Sequence, residues 1–298
     1  MRILLTGGTG LLGRALCRRW LADGHRLTVL SRRPARVPER CGATVSALAS
    51  LADWKPDQTF DALVNLAGEP IIDWPWTLAR KQRLHASRIG LTETLSAAIA
   101  RAEVKPSVLL SASAIGYYGD CGDRPIDENA AAADDFAARL CADWEAVAAG
   151  VGGPGLRVCQ LRTGLVLSAD GGLLARMAPA FRWGLGARLG SGRQWMSWIH
   201  IDDWVAAVDF LLTRSDASGA FNLSAPAPVD NAEFTRQLAA HYGRRAPLVA
   251  PSGLLRLALG QRAQLLLGGQ RVLPARLQAL GFHFRHPDLA TALAAIQD

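Results

Sequence analysis

The stretch ILLTGGTGLLGRAL, Ile3 to Leu16, decides the fold. Arg2–Thr6 is a run of β-branched and leucine residues, a glycine turn follows, and residues 11–23 carry helical character up to Gly24, a natural helix stop. Gly7 allows the tight turn, Gly10 lets backbone approach a diphosphate, and Gly13 lets helix and strand pack closely. Unpaired amides and the helix dipole then hold negative charge at the helix start. The candidate contacts of this turn to a bound dinucleotide are Gly7, Thr9, Gly10, Leu11, Leu12 and Gly13. A merely structural turn is the competing explanation. The strand-turn-helix setting weighs against it.

The second strand, residues 26–30, runs into Ser31, Arg32 and Arg33. An acidic residue here binds a free ribose 2′-hydroxyl. A guanidinium instead matches a 2′-phosphate with parallel charge-assisted hydrogen bonds. The expected cofactor is therefore NADP(H) rather than NAD. An ordinary basic turn is the alternative.

Outward from these two strands, strand-like runs at 62–66, 108–111 and 158–161 alternate with helical patterns at 77–102 and 133–149. Such alternation predicts an α/β architecture: a Rossmann-like, doubly wound parallel sheet covered on both faces. After residue 165 glycines break the rhythm, sheet character returns at 198–201 and 220–223 around a helix at 204–213, and residues 232–298 read as mostly helical. The expected organisation is a dinucleotide-binding domain over 1–165, with 198–225 returning to it. A smaller, mostly helical substrate or lid domain is built from 166–197 and 226–298.

The chain has 298 residues, half of them hydrophobic, and a net charge of +7. That length supports a sizeable core. No apolar run is long enough to span a membrane, and the opening residues leave no room for a signal peptide. Cys17, Cys41, Cys121, Cys141 and Cys159 show no paired or zinc-ligand spacing, so free thiols, no metal and a cytoplasmic location are expected. The arginines are scattered with no interleaved aromatic platform, which argues against nucleic acid and for a basic surface around a small-molecule site.

The segments TGGTGLLG, SRRP, NLAGEPI, SASAIGYYGD, LRTGLVLSADGGLL, GLGARLGSGRQWMSWIHIDD and GQRVLPARLQALGF span nearly the whole chain. Together they resemble the extended short-chain dehydrogenase/reductases, the group of nucleotide-sugar epimerases and dehydratases. Within that group the match is to the uncharacterised "epimerase family" proteins, also labelled cell-division-inhibitor-like. The resemblance implies further cofactor contacts at Leu66, Ala67, Gly68, Arg88, Gly164 and Leu165, and a homodimer. It also implies that Ser113, after the fifth strand, orients substrate beside the nicotinamide. A strand-end hydroxyl bonded to backbone is the competing use of Ser113.

Most relatives of this kind use a Tyr-xxx-Lys pair, in which the lysine lowers the tyrosine pKa. Here Cys121, Gly122 and Ala246 stand four residues after Tyr117, Tyr118 and Tyr242, and the only lysines are Lys55, Lys81 and Lys105. The helix that should carry the pair offers Ala137 and Cys141 at the expected places. The loop IGYYG is one residue longer than the usual ending, so Tyr117 and Tyr118 are candidates for the vacated space, with loop packing as the alternative. Glu69 is a candidate pocket carboxylate or a solvated loop residue. Gln194, Trp195, Met196 and Trp198, with Trp74 and Trp76, are candidates for a substrate wall or for core packing. His200, Asp202 and Asp203 read as packing and helix-capping residues. Three functions remain open on this reading: an NADP(H)-dependent oxidoreductase of altered mechanism, an NADP(H) sensor without turnover, and a sugar epimerase or dehydratase.

Overall fold

The computed structural model describes residues 1–296. Its centre is a sheet of seven parallel strands: β1 (Arg2–Thr6), β2 (Arg26–Leu30), β3 (Ser46–Leu48), β4 (Ala62–Asn65), β5 (Val108–Ala114), β6 (Arg157–Thr163) and β7 (Gly219–Leu223). Their spatial order is β3-β2-β1-β4-β5-β6-β7, so the strand order reverses between β1 and β4. Open α/β sheets bind ligands at such a switch point.

Period-two alternation sends side chains to two separate cores. Ile3, Leu5, Val64 and Leu110 face one side, where α1 (Leu11–Ala22) contributes Leu16 and Trp20. Leu4, Leu63 and Leu109 face the other, against Leu95 and Ile99 of α2 (Leu91–Arg101). Helix α3 (Phe136–Ala149) packs beside α2, and α4 (Ile201–Thr213) lies against α1, with Trp204 and Leu211 in the first core. Covered faces explain why β1, β4 and β5 read as nearly continuous apolar runs.

A third core gathers Leu167, Leu174, Phe181, Met196, Trp198, Phe234, Leu238, Leu289 and Leu293. It is built from the helices Gly172–Arg182, Asn231–His241 and Leu289–Ala295. Strand Trp198–His200 lies outside the large sheet and pairs in parallel with Leu165–Leu167; β7 alone returns to the sheet. The two bodies are laced together by residues 271–286. Arg271–Val272 pairs with Pro125–Ile126, and Arg276 donates to the carbonyls of Ala220 and Ser218. Asp203 accepts from the Arg285 and His286 amides. No helix among the described residues is long and apolar enough to cross a membrane.

Candidate functional site

At the switch point, Gly7 adopts φ +71°, and a Cβ there would lie 2.8 Å from the Ala67 amide nitrogen and the Leu66 carbonyl carbon. A Cβ on Gly13 would lie 2.4 Å from the Gly7 carbonyl oxygen. Any side chain would fill the cradle with backbone collisions. Gly10 caps α1 without a side-chain hydrogen bond, so nothing on the cap competes for the first-turn amides. Sequence reasoning passed over Gly8, whose Cβ would strike Val29 at 2.7 Å. These features suit a dinucleotide diphosphate.

A groove of about 1130 Å³ runs from this cradle along the ends of β1 and β4. Thr9, Gly10, Leu66, Ala67, Gly68 and Glu69 line it near the switch point; Ser31, Arg32, Arg33, Arg36 and Arg40 line its far end. The Arg33 amide donates to Ser31 Oγ at 3.1 Å. None of these four guanidinium groups has an ion-pair partner among the described residues. Arg36 and Arg40 escaped the sequence reading. Their signal is a spacing of four across the short helical turns Pro34–Arg36 and Val37–Cys41.

The end of β4 is pinned from behind. Thr6 Oγ1 donates to Asn65 Oδ1 at 2.6 Å and accepts from the Ala67 amide at 3.1 Å, while Asn65 Nδ2 donates to Thr92 Oγ1 at 2.8 Å. Arg88 sits in a single π-turn, Ala86–Gly90, between helix Leu78–His85 and α2. Its Nη2 donates to the Glu69 carbonyl at 2.9 Å, and its guanidinium lies under Gly68. Burial lowers its pKa from the usual arginine range. Arg88 therefore braces the 66–69 loop in this structure. Burial pushes the Glu69 carboxyl up, but hydrogen bonds from Arg80 and Arg83 outweigh it and hold the group below its ordinary value. Glu69 thus faces the groove as an engaged carboxylate.

At the end of β5 the side chains close into a buried network. Ser113 Oγ donates to Glu145 Oε1 of α3 at 2.6 Å. Arg162 of β6 grips the same carboxylate with Nε on Oε1 and Nη2 on Oε2, both at 2.8 Å. Arg162 Nη1 donates to the Tyr118 hydroxyl at 2.8 Å, which donates in turn to Asn222 Oδ1 of β7 at 2.7 Å. The Arg162 guanidinium lies 3.6 Å from the Tyr117 ring centroid. Tyr117 is half-buried and Tyr118 enclosed, 2 % exposed. Cys141 fills the expected lysine position; burial first, then the Glu145 charge, push its thiol up to about 11. Glu145, Arg162 and Asn222 were not singled out from sequence. For Arg162 the readable signal was a charge just before the end of the strand RVCQLRT, where the alternation of a parallel strand leaves it buried.

Burial pushes the Tyr118 phenol up to about 12, against the opposing pull of Arg162. In a spectrophotometric titration of the three tyrosines, one phenol should stay neutral well above pH 10 and ionise near 12. The late step should vanish in Tyr118→Phe. A full set of ionisations by about pH 10, the ordinary tyrosine value, would mean that Tyr118 is solvated.

The remaining expected residues are dispersed. Leu165 donates its amide to the Ser197 carbonyl at 2.9 Å, and a Cβ on Gly164 would meet that carbonyl oxygen at 2.7 Å, so this turn is a close backbone crossing. Gln194 Nε2 donates to the carbonyls of Leu189 and Leu266, and Trp195 Nε1 donates to Asp123. Trp198 is wholly buried in the third core and Trp76 packs against Phe136, whereas Trp74 is exposed. His200 Nδ1 accepts the Asp202 amide as the cap of α4. The fold also brings one imidazole nitrogen each of His200 and His286 and a carboxylate oxygen of Asp202 within 4.8 Å of one another, which spacing alone did not foretell.

A parallel sheet with a glycine cradle at its switch point defines the Rossmann class of folds. The chain belongs to the NAD-dependent epimerase/dehydratase family, whose model matches residues 3–224; residues 250–296 match a domain of unknown function, DUF1731. It is 43% identical over 302 residues to the epimerase family protein Mb2239 of Mycobacterium bovis, covering 98% of this chain and 96% of that one. It is 37% identical over 300 residues to the human epimerase family protein SDR39U1, covering 99% of each. A crystal structure of the human protein (isoform 2) with NADPH superimposes with a TM-score of 0.92 at 35% identity, covering 99% of both chains.

Proposed function

We propose that this protein is an NADP(H)-binding oxidoreductase acting on a small carbonyl or alcohol without a Tyr-xxx-Lys pair. The carrying observation is the set of four unpaired arginines at the far end of a groove that starts in the glycine cradle. The human relative crystallised with NADPH supports the same coenzyme. Gly7, Gly10 and Gly13 would accept the diphosphate, and Arg32, Arg33, Arg36 and Arg40 the 2′-phosphate. The nicotinamide, when bound, supplies or takes a hydride. Ser113 would orient the substrate oxygen, and Tyr117, whose ring rests on Arg162, would move the proton. Tyr118 is better placed as a post holding Arg162 than as a donor, since its own proton goes to Asn222. Five free thiols, four of them buried, fit a reducing cytoplasmic compartment.

The test is a panel of small carbonyls and alcohols, followed through the absorbance of the reduced nicotinamide. Turnover should appear with NADP(H) and disappear in Ser113→Ala; undiminished turnover removes Ser113 from the mechanism. A second reading, a coenzyme sensor without turnover, draws support from the enclosed Tyr118. It expects tight NADPH binding with no substrate consumed anywhere in the panel.

A further inference from the structure

We infer that Ser113 meets its ligand as a hydrogen-bond acceptor, so that the site selects a hydroxyl-bearing substrate over a carbonyl, because the serine's single proton is held by the buried Glu145 carboxylate at 2.6 Å. The inference rests on the oxidoreductase reading and gives its substrate class. A serine hydroxyl has one hydrogen to donate and two lone pairs to accept with. Its hydrogen is committed to an ionised acceptor, which makes the short, strong kind of hydrogen bond. What Oγ has left for a ligand is a lone pair. A carbonyl oxygen would set lone pair against lone pair there, whereas an alcohol O–H completes the contact.

The neighbouring groups reinforce this polarity. Glu145 Oε1 accepts from both Ser113 Oγ and Arg162 Nε, and Oε2 accepts from Arg162 Nη2. Arg162 also commits Nη1 to the Tyr118 hydroxyl and the Glu128 carbonyl. The Tyr118 proton goes to Asn222 Oδ1, an orientation fixed by Asn222 Nδ2 donating to the Leu273 carbonyl. Four of the five Arg162 N–H donors and the Tyr118 hydroxyl are thus used inside the network. Ser113 itself is 4 % exposed, so little of it is open to a ligand.

The placement of Glu145 explains how the polarity arose. Ala137, Cys141 and Glu145 recur at intervals of four along α3, and the first two occupy the places where the resemblance expects tyrosine and lysine. The helix thus presents a thiol where an ammonium is usual and a carboxylate one turn further on, and the cation comes from the neighbouring strand as Arg162. Glu145 acts through Ser113, as a positioning residue.

The test compares isosteric pairs, 1-phenylethanol with acetophenone and cyclohexanol with cyclohexanone. Binding is read by ligand-observed NMR on the full chain, with and without NADP+. The wild type should bind each alcohol about tenfold more tightly than its ketone, the scale of one hydrogen bond made or missed. Ser113→Ala should abolish the ratio. Glu145→Leu/Arg162→Met, which exchanges the buried ion pair for apolar groups of similar volume and frees the serine proton, should shift the ratio toward the ketone. A wild-type preference for ketones, a ratio indifferent to Ser113→Ala, or no alcohol bound at all overturns the inference. Calorimetry with NADP+ on the same samples separates it from its parent: failure to bind coenzyme defeats the oxidoreductase reading, whereas coenzyme binding with ketone preference defeats only the polarity of Ser113.

Discussion

Arg32→Glu/Arg33→Glu should weaken NADPH binding by about two orders of magnitude and leave NADH binding almost unchanged. Hydrogen bonds to a charged group contribute about 1.5–3 kcal/mol each. Losing two of them removes at least about 3 kcal/mol, and every 1.4 kcal/mol is roughly tenfold in affinity. The introduced carboxylates also repel a 2′-phosphate, while Arg36 and Arg40 stay in the groove and keep the loss from growing further. Calorimetry with both coenzymes decides it. Equal losses for NADPH and NADH would show that these arginines shape the groove rather than select the phosphate.

The largest stability effect belongs to Arg162→Met. Removing one member of a buried ion pair strands the other charge and costs about 3–5 kcal/mol. Here the stranded group is the Glu145 carboxylate, and the Tyr118 hydroxyl loses a donor in the same stroke. Glu145→Leu/Arg162→Met should regain most of that loss, since the uncompensated charge goes with the partner. Guanidinium denaturation of the two variants gives the comparison. A single variant as stable as the wild type would mean that water reaches Glu145.

The doubly wound sheet was legible because its strands carry their own punctuation. Arg2–Thr6 and Arg26–Leu30 coincide with the expected runs, and the helical pattern at 11–23 ends one residue past α1. The three-residue β3, Ser46–Leu48, left no pattern to find. The expected helix 77–102 is interrupted by the π-turn at Arg88, a detail of backbone hydrogen bonding that side-chain periodicity does not encode. Sheet character at 198–201 was readable, but its partner was not. Trp198 and Ile199 are as apolar as any central strand, yet they pair with Leu165 and Val166 outside the sheet.

The candidate site divides along similar lines. Its cofactor half lies in contiguous motifs, so glycine spacing and SRRP brought Gly7, Gly13, Arg32 and Arg33 forward. Its chemical half is assembled from β5, α3, β6 and β7, and the Ser113–Glu145 and Tyr118–Asn222 contacts join residues far apart in sequence. A glutamate in a helix and an arginine in a strand each look unremarkable alone. Only the fold makes them a pair.

The interleaving of the two bodies also bears on biosynthesis. A polypeptide leaving the ribosome has the glycine cradle and β1 to β5 by residue 114, but the outer edge of β6 waits for β7 at Gly219, and the lacing segment 271–286 follows last. An unpaired strand edge is a template for association with other chains. Chaperones would find the nascent protein most exposed late in translation, after its nucleotide-binding half has formed and before β7 pairs with β6 and Arg276 covers the carbonyls beside it.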